Sequence, residues 1–179
     1  MVEIPASAVD GREGTLNFSN AAVILVAAVI ATAISPPPLL LVWNATASVP
    51  IGLYIVTQTV PKRGDLLLTH LPHEMELLAI SRGILSAGTP VLKPVAALAG
   101  DRVCRTGPLV SINRRFAAIA RGLDARGRRL PTWRGCRRLS AGRVFLLARH
   151  PDSFDSRYYG PLHLVLSRGV AHPVVNVPN

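Results

Sequence analysis

Residues 46–54 read Thr-Ala-Ser-Val-Pro-Ile-Gly-Leu-Tyr and place a serine, Ser48, just past the hydrophobic N-terminal part of the chain. A second segment, residues 91–101, carries Lys93 among apolar residues. A serine hydroxyl is a weak nucleophile until a neighbouring base takes its proton. Lysine can be that base only when burial lowers its pKa and leaves the amine neutral. We therefore predict Ser48 as a nucleophile and Lys93 as its general base.

The charge of the chain strengthens the case for Lys93. The 179 residues include 20 Lys and Arg against 10 Asp and Glu, for a net charge of +10. Lys62 and Lys93 are the only lysines, so arginine carries almost all of this charge. Because arginine stays protonated in proteins, it cannot be a general base. Lys93 is therefore the only candidate of its kind in apolar surroundings.

Residues 21–43 have the composition of a membrane segment. Residues 21–34 are apolar and uncharged, residues 35–38 read Ser-Pro-Pro-Pro, and residues 39–43 are apolar again. A helix that spans a bilayer needs about 20 residues. We expect a helix that stops at the prolines, with residues 39–43 at the membrane surface.

This pattern predicts three parts: a short cytoplasmic tail at 1–20, a membrane anchor at 21–43 and a periplasmic domain at 44–179. A cleaved secretory signal is the alternative, because residues 31–33 read Ala-Thr-Ala, a small-x-small pattern. The tail lacks the basic region with which such signals begin. With 49% hydrophobic residues, the length suits one domain plus an anchor.

The rest of the chain has β character. Only residues 73–86 have helical spacing of apolar residues. Short apolar or alternating runs between turn residues predict strands at 52–59, 65–69, 91–96, 102–103, 109–113, 144–148 and 162–166. The predicted fold is mainly β with one short helix, preceded by a transmembrane helix.

An arginine-rich segment at about 105–140 has Asp124 almost alone as an acidic residue. Basic patches can neutralise phosphates, but these arginines do not alternate with stacking aromatic residues. We interpret the segment as a solvated insertion or a contact with anionic lipid, and we expect no nucleic acid partner.

The cysteines and histidines predict no metal site and no cofactor. Cys104 and Cys136 have no zinc-binding spacing. In a domain outside the cytoplasm they would form one disulfide that closes a loop of about 30 residues and adds roughly 3 kcal/mol. No recognised ligand spacing or serine-protease triad pattern occurs among His70, His73, His150, His163 and His172.

Three blocks in order carry a family resemblance. Residues 48–54 read Ser-Val-Pro-Ile-Gly-Leu-Tyr, residues 93–101 read Lys-Pro-Val-Ala-Ala-Leu-Ala-Gly-Asp, and residues 155–160 read Asp-Ser-Arg-Tyr-Tyr-Gly. This pattern resembles the type I signal peptidase superfamily, most closely its conjugative-transfer (TraF-type) branch. The resemblance covers about residues 45–166.

The resemblance implies a role for four side chains. Ser48 would be the nucleophile and Lys93 the general base. The Ser48 backbone N–H and the Thr46 hydroxyl would form the oxyanion hole, which must hold donors where negative charge develops. Ser153, two residues before the aspartate of the third block, would hydrogen-bond and orient the lysine amine.

The remaining block residues are expected to be structural. Gly100 and Asp101 fit a turn that leaves the lysine strand. Family members often have an arginine after the lysine, where this chain has Pro94. Asp155 therefore needs another partner, and Arg157 is the candidate.

Together these features predict a single-pass protein of the bacterial inner membrane, with a serine endopeptidase domain in the periplasm. The resemblance implies removal of N-terminal signal peptides from exported precursors, with a conjugative pilin precursor as substrate and cyclisation as a possible outcome. The expected partners are a precursor protein and the lipid bilayer. Two alternatives are a non-catalytic arginine-rich accessory protein of a secretion complex and a self-cleaving repressor of the LexA kind. The apolar N-terminal segment and the absence of a helix-turn-helix pattern argue against the second.

Overall fold

The computed structural model describes residues 22–26 and 40–176. The chain divides into two units, Met1–Pro38 and Leu39–Asn179. In the first unit, residues 22–26 are helical with exposed side chains. The predicted tail at 1–20 and most of the predicted anchor lie outside the described residues. Within the ranges that are described, no helix has the length and hydropathy needed to cross a bilayer.

The second unit is built on an antiparallel sheet of seven strands, in the order β1-β2-β11-β3-β4-β9-β10. Its strands are β1 (Leu40–Asn44), β2 (Gly52–Thr57), β3 (Leu66–Thr69), β4 (Val91–Ala97), β9 (Arg143–Leu146), β10 (Leu162–His163) and β11 (Ser167–Asn176). Leu68 packs in one buried cluster and Leu67 in another. Because successive side chains point to opposite faces, both faces of the sheet are covered here, and β3 reads as an apolar run without alternation.

Strand β1 contains most of the segment 39–43, which was predicted to lie at the membrane surface as the end of an anchor at 21–43. Leu40 pairs with Val56 and Asn44 with Gly52, so this segment is an edge strand of the sheet. Its backbone hydrogen bonds to β2 decide its structure. Composition alone could not show this, because Leu40 and Trp43 are apolar but exposed.

The arginine-rich segment is folded into strands. It forms most of a second antiparallel sheet in the order β7-β6-β5-β8, with strands β5 (Arg102–Thr106), β6 (Leu109–Ile112), β7 (Arg115–Ile119) and β8 (Gly135–Arg138). Val103 and Val110 are fully buried and pack with Phe145 of the first sheet. The segment therefore contributes buried residues to the core on one face, while most of its other residues are exposed.

Two helices lie in the described part of the second unit, one more than predicted: α1 (His73–Ser81) and α2 (Ser156–Tyr159). Helix α1 ends before the predicted residue 86 because Gly83, at φ 68°, donates to the Ile80 carbonyl while Ile84 donates to the Ala79 carbonyl. This pair of hydrogen bonds is a Schellman motif, which stops a helix at glycine. Residues 164–166, predicted as strand, form a short 3-10 helix instead.

The predicted mainly β fold is confirmed, and it brings the sequence blocks together. The loop with Ser48 joins β1 to β2, Lys93 lies in β4, and Ser153 precedes α2. Gly52 shows why the first block needs a glycine, because a Cβ at this position would collide with the Val175 carbonyl oxygen of β11.

Candidate active site

Lys93 is buried at the centre of the site. Its strand pairs with β3, with Lys93 opposite Leu67, and its side chain is only 6% exposed. The Lys93 Nζ donates hydrogen bonds to the Ser48 Oγ and to the Ser153 Oγ, each at 2.8 Å. The structure therefore brings together three residues that are separated by 45 and 60 positions in the chain.

The surroundings of Lys93 lower the pKa of its amine to about 8, from an ordinary 10.5. Burial is the main cause, because it penalises the charged form. The negative charge of Asp155 raises this pKa, and the positive charge of Arg157 lowers it. At a pKa of about 8, roughly one amine in ten is neutral at pH 7, so the lysine is available as a base near physiological pH.

The loop that carries Ser153 is fixed by a buried ion pair. Arg157 Nε lies 2.8 Å from Asp155 Oδ1, and both side chains are at most 2% exposed. Asp155 also accepts from the backbone N–H of Ala148 and caps α2 by accepting from the Arg157 N–H. Arg157 in turn donates to the carbonyls of Ala148 and Pro151. These contacts hold the chain on both sides of Ser153.

Thr46 lies on the other side of the serine. Its hydroxyl oxygen is 3.2 Å from the Ser48 Oγ and 2.9 Å from the Asn44 Oδ1. Thr46 is exposed, whereas Asn44 is 7% exposed. Sequence reasoning missed Asn44, because an asparagine at the end of an apolar run reads as a simple turn residue.

A cleft of about 440 Å³ opens beside these groups. The polar side chains at its floor include those of Ser48, Lys93 and Ser153. Its walls are largely apolar, and among them are Leu71, Ile84, Leu85, Val91, Leu92 and Phe154. A mostly apolar cleft with a few converging polar groups is the usual form of a substrate site.

His150 is the histidine that lines this cleft, but its geometry does not suit a serine-histidine pair. Its Nδ1 accepts from the backbone N–H of Asp152 at 3.2 Å. In the described ranges, no histidine hydrogen-bonds to Ser48. No group of three or more His, Cys, Asp or Glu residues there could hold a metal ion.

Gly100 and Asp101 form the turn between β4 and β5, outside the cleft. Asp101 accepts from the backbone N–H of Leu98 and pairs with Arg63 at 2.7 Å. The other predicted pair, Cys104 and Cys136, forms a disulfide between β5 and β8. Both features stabilise the fold and contribute no group to the cleft.

Comparison with known proteins identifies the class. The chain matches the family model described as "Signal peptidase, peptidase S26" over residues 15–175, and it belongs to this family. It is 32% identical over 146 residues to a "Conjugal transfer protein TraF" from Agrobacterium fabrum, with 73% of this chain and 80% of that protein covered. These matches confirm the TraF-type resemblance, and the family makes the chain a peptidase.

Among solved structures, a signal peptidase I from Enterococcus faecalis matches with 20% identity and a TM-score of 0.38. The match covers 64% of this chain and 98% of that one.

Proposed function

We propose that this peptidase is a serine endopeptidase in which Ser48 is the nucleophile and Lys93 the general base. The observation that supports this most directly is the buried Lys93 amine, 2.8 Å from the Ser48 hydroxyl. This distance lies within the reach that proton transfer requires. The lowered pKa of Lys93 also supports the proposal, because it makes a neutral amine accessible near neutral pH.

In the first half of the reaction, neutral Lys93 takes the Ser48 hydroxyl proton as Oγ attacks the scissile carbonyl carbon. The Ser48 N–H and the Thr46 hydroxyl donate to the resulting oxyanion. Protonated Lys93 then passes its proton to the leaving amine as the C–N bond breaks, which leaves an ester on Ser48. Ser153 keeps the amine aimed at the serine throughout, as the third group of such a site does.

In the second half, Lys93 takes a proton from water as the water oxygen attacks the ester. Lys93 then passes this proton to the Ser48 Oγ as the C–O bond breaks, which restores the free serine and the neutral amine. If an amine of the substrate attacks in place of water, the product is a new amide and a cyclic chain. Both outcomes proceed from the same acyl-enzyme.

The family resemblance implies a substrate with small side chains at the first and third positions before the cleaved bond, and we propose an extended segment of this kind. Apolar walls next to Ser48 favour apolar contacts over charged ones. We propose the signal peptide of an exported precursor as this segment. The similarity to a conjugal transfer protein favours a pilin precursor of a conjugation system.

We further propose that the apolar residues before β1 anchor the chain in the inner membrane, with the peptidase unit in the periplasm. The apolar run at 21–34 and the Cys104–Cys136 disulfide support this, because disulfides persist in oxidising compartments. Protease treatment of spheroplasts tests the topology. Digestion of the peptidase unit without lysis is expected, and full extraction of the protein by salt would contradict the anchor.

The test of the function is cleavage of a purified precursor by the full chain in detergent between pH 6 and 10. We expect cleavage by the wild type, none by Ser48→Ala or Lys93→Met, and a kcat/KM that rises with pH to a plateau with its midpoint near the Lys93 pKa of about 8. Lys62, the only other lysine, is exposed, and the Lys62→Met variant should cleave the precursor as the wild type does. Equal behaviour of the wild type and Ser48→Ala would favour the accessory-protein alternative. A product mass one water short of hydrolysis would indicate cyclisation.

A further inference from the structure

Asn44, the last residue of β1, braces the loop that carries Ser48. Its Nδ2 lies 2.8 Å from the Thr46 carbonyl oxygen, 3.1 Å from that of Val49 and 3.0 Å from that of Pro50. Its Oδ1 accepts from the Thr46 backbone N–H at 3.2 Å and from the Thr46 hydroxyl at 2.9 Å. One buried side chain therefore joins the two arms of the loop on either side of the serine.

These contacts allow only one orientation of the Asn44 amide. Carbonyl oxygens only accept, and a backbone N–H only donates. A flipped amide would set its oxygen against the carbonyls of Thr46, Val49 and Pro50 and its NH₂ against the Thr46 N–H. The Asn44 Oδ1 is itself only an acceptor, so the Thr46 hydroxyl must donate to it.

This orientation fixes the direction of the neighbouring hydrogen bonds. A hydroxyl has one hydrogen, and that of Thr46 is directed to Asn44. In the 3.2 Å contact between Thr46 and Ser48, Ser48 must therefore be the donor. Lys93 donates to Ser48 at the same time, so in the resting site the Ser48 hydrogen points to Thr46 and away from the amine. When Lys93 becomes neutral, the Ser48 hydrogen can turn to its Nζ.

The same arrangement keeps the Thr46 hydroxyl available for an oxyanion. If this hydroxyl rotates away from Asn44, the Asn44 Oδ1 still accepts from the Thr46 N–H and is not left unsatisfied. The rotation therefore avoids the cost of a buried polar atom without a partner. Asn44 holds Thr46 close to Ser48 in the resting site and can release its hydroxyl during the reaction.

We propose that Asn44 is a positioning residue of this site, which shapes the Ser48 loop and aims the Thr46 hydroxyl. This inference rests on the proposed Ser48–Lys93 peptidase function and deepens it. Asn44, at the end of β1, lies outside the three sequence blocks, and the inference gives it a part in the reaction.

The test is a double-mutant cycle on precursor cleavage by the full chain. Asn44→Leu keeps the shape of the side chain and removes all of its hydrogen bonds. We expect kcat to fall by about 10- to 100-fold with KM nearly unchanged, because a small displacement of reacting groups has effects of this size. Thr46→Val should lower kcat by about 100-fold, as loss of an oxyanion donor does. In the double variant the loss should be smaller than the product of the two single losses, since Asn44 acts in part through Thr46.

Asn113→Gly is the matched control. Asn113 also braces a turn through its side-chain amide, but it lies between β6 and β7 and does not line the cleft. Its φ of 51° suits glycine, and we expect wild-type kcat and KM. If Asn44→Leu folds poorly, Asn44→Ala leaves room for water to bond the freed carbonyls and should show the same loss of kcat.

Wild-type kcat in a folded Asn44 variant, or losses that multiply in the double variant, would overturn the inference. Wild type and Ser48→Ala are measured in the same assay. If the wild type does not cleave the precursor, both the proposed function and the positioning role are overturned. If the wild type cleaves and the Asn44 variant is equally active, only the positioning role is overturned.

Discussion

Arg157 and Asp155 form a buried ion pair at 2.8 Å next to the lysine of the site. Asp155 raises the pKa of Lys93 and Arg157 lowers it. Because these two effects oppose each other, burial is the main influence on this pKa. The two residues also hold the loop with Ser153 through five hydrogen bonds to the backbone of residues 148–157. The pair links the stability of the unit to the geometry of its site.

Loss of Arg157 should therefore be costly. Arg157→Met leaves the Asp155 carboxylate buried without a counter-charge, which typically costs about 3 to 5 kcal/mol of unfolding free energy. The measurement is equilibrium unfolding of the purified full chain in urea. Arg63→Met is the control, because Arg63 pairs with Asp101 but is 53% exposed, and such pairs contribute less than about 1 kcal/mol. Equal losses in the two variants would contradict the structural role of the buried pair.

Ser153→Ala tests whether the serine before α2 orients the lysine. Ser153 accepts a hydrogen bond from the Lys93 amine, and its loss frees the amine to move. We expect kcat to fall by about 10- to 100-fold with little change in KM. The lost bond favoured the ammonium form, so the pKa of Lys93 should fall, and the midpoint of the kcat/KM profile should move to lower pH.

Ser81→Ala is the control for this prediction, because Ser81 is exposed at the end of α1 and bonds only the Leu78 carbonyl. It should match the wild type in both rate and pH profile. If Ser153→Ala also matches the wild type in both, Ser153 has no role in orienting Lys93.

The second sheet should depend on its disulfide for stability but not for catalysis. Cys104 and Cys136 are 32 residues apart, and the chain-entropy model gives such a loop about 3 to 4 kcal/mol. The double variant Cys104→Ser, Cys136→Ser should lose about this much unfolding free energy while it retains wild-type kcat under native conditions. Reductant should lower the stability of the wild type and leave the double variant unchanged. A large loss of kcat in the folded double variant would show that the second sheet supports the site directly.

Much of the first sheet could be predicted from the sequence, because its strands are compact apolar runs. β2, β3 and β4 lie within one residue of their predicted starts. The second sheet was harder to predict, because β8 reads Gly-Cys-Arg-Arg and every residue of it is exposed. Strand β11 contains Gly169 and Pro173, which read as turn residues, and its pairing with β2 has an irregularity after Pro173. Only long-range pairing makes these segments strands.

The candidate site shows the same division. Ser48, Lys93 and Ser153 could be named from the spacing of residue types that the chemistry and the family resemblance require, and the structure brings their side chains into contact. The position of Asn44 could not be predicted, because its five contacts depend on the exact path of the loop at 44–50. Hydrogen bonds of this kind have no periodic signal in a sequence.

The burial of Lys93 should appear in the pH dependence of stability. Its pKa is about 8 in the folded chain and 10.5 for an ordinary lysine. Below pH 8 both folded and unfolded chains carry the proton, and the fold bears the cost of a buried ammonium. Between pH 8 and 10.5 the folded chain loses the proton while the unfolded chain keeps it, so this group makes unfolding less favourable as pH rises. The full change is about 3 kcal/mol.

Lys93→Met removes the titrating group, so its stability relative to the wild type isolates this contribution. We expect the wild type to gain about 3 kcal/mol on the variant between pH 7 and pH 11, as measured by urea unfolding at each pH. The gain should occur mainly between pH 8 and 10.5, the range between the two pKa values. Lys62→Met, at an exposed lysine, is the matched control for removal of a lysine side chain. A difference between Lys93→Met and the wild type that stays constant with pH would mean that the Lys93 amine titrates as an ordinary lysine. The chain would then lack the neutral base that the proposed reaction needs.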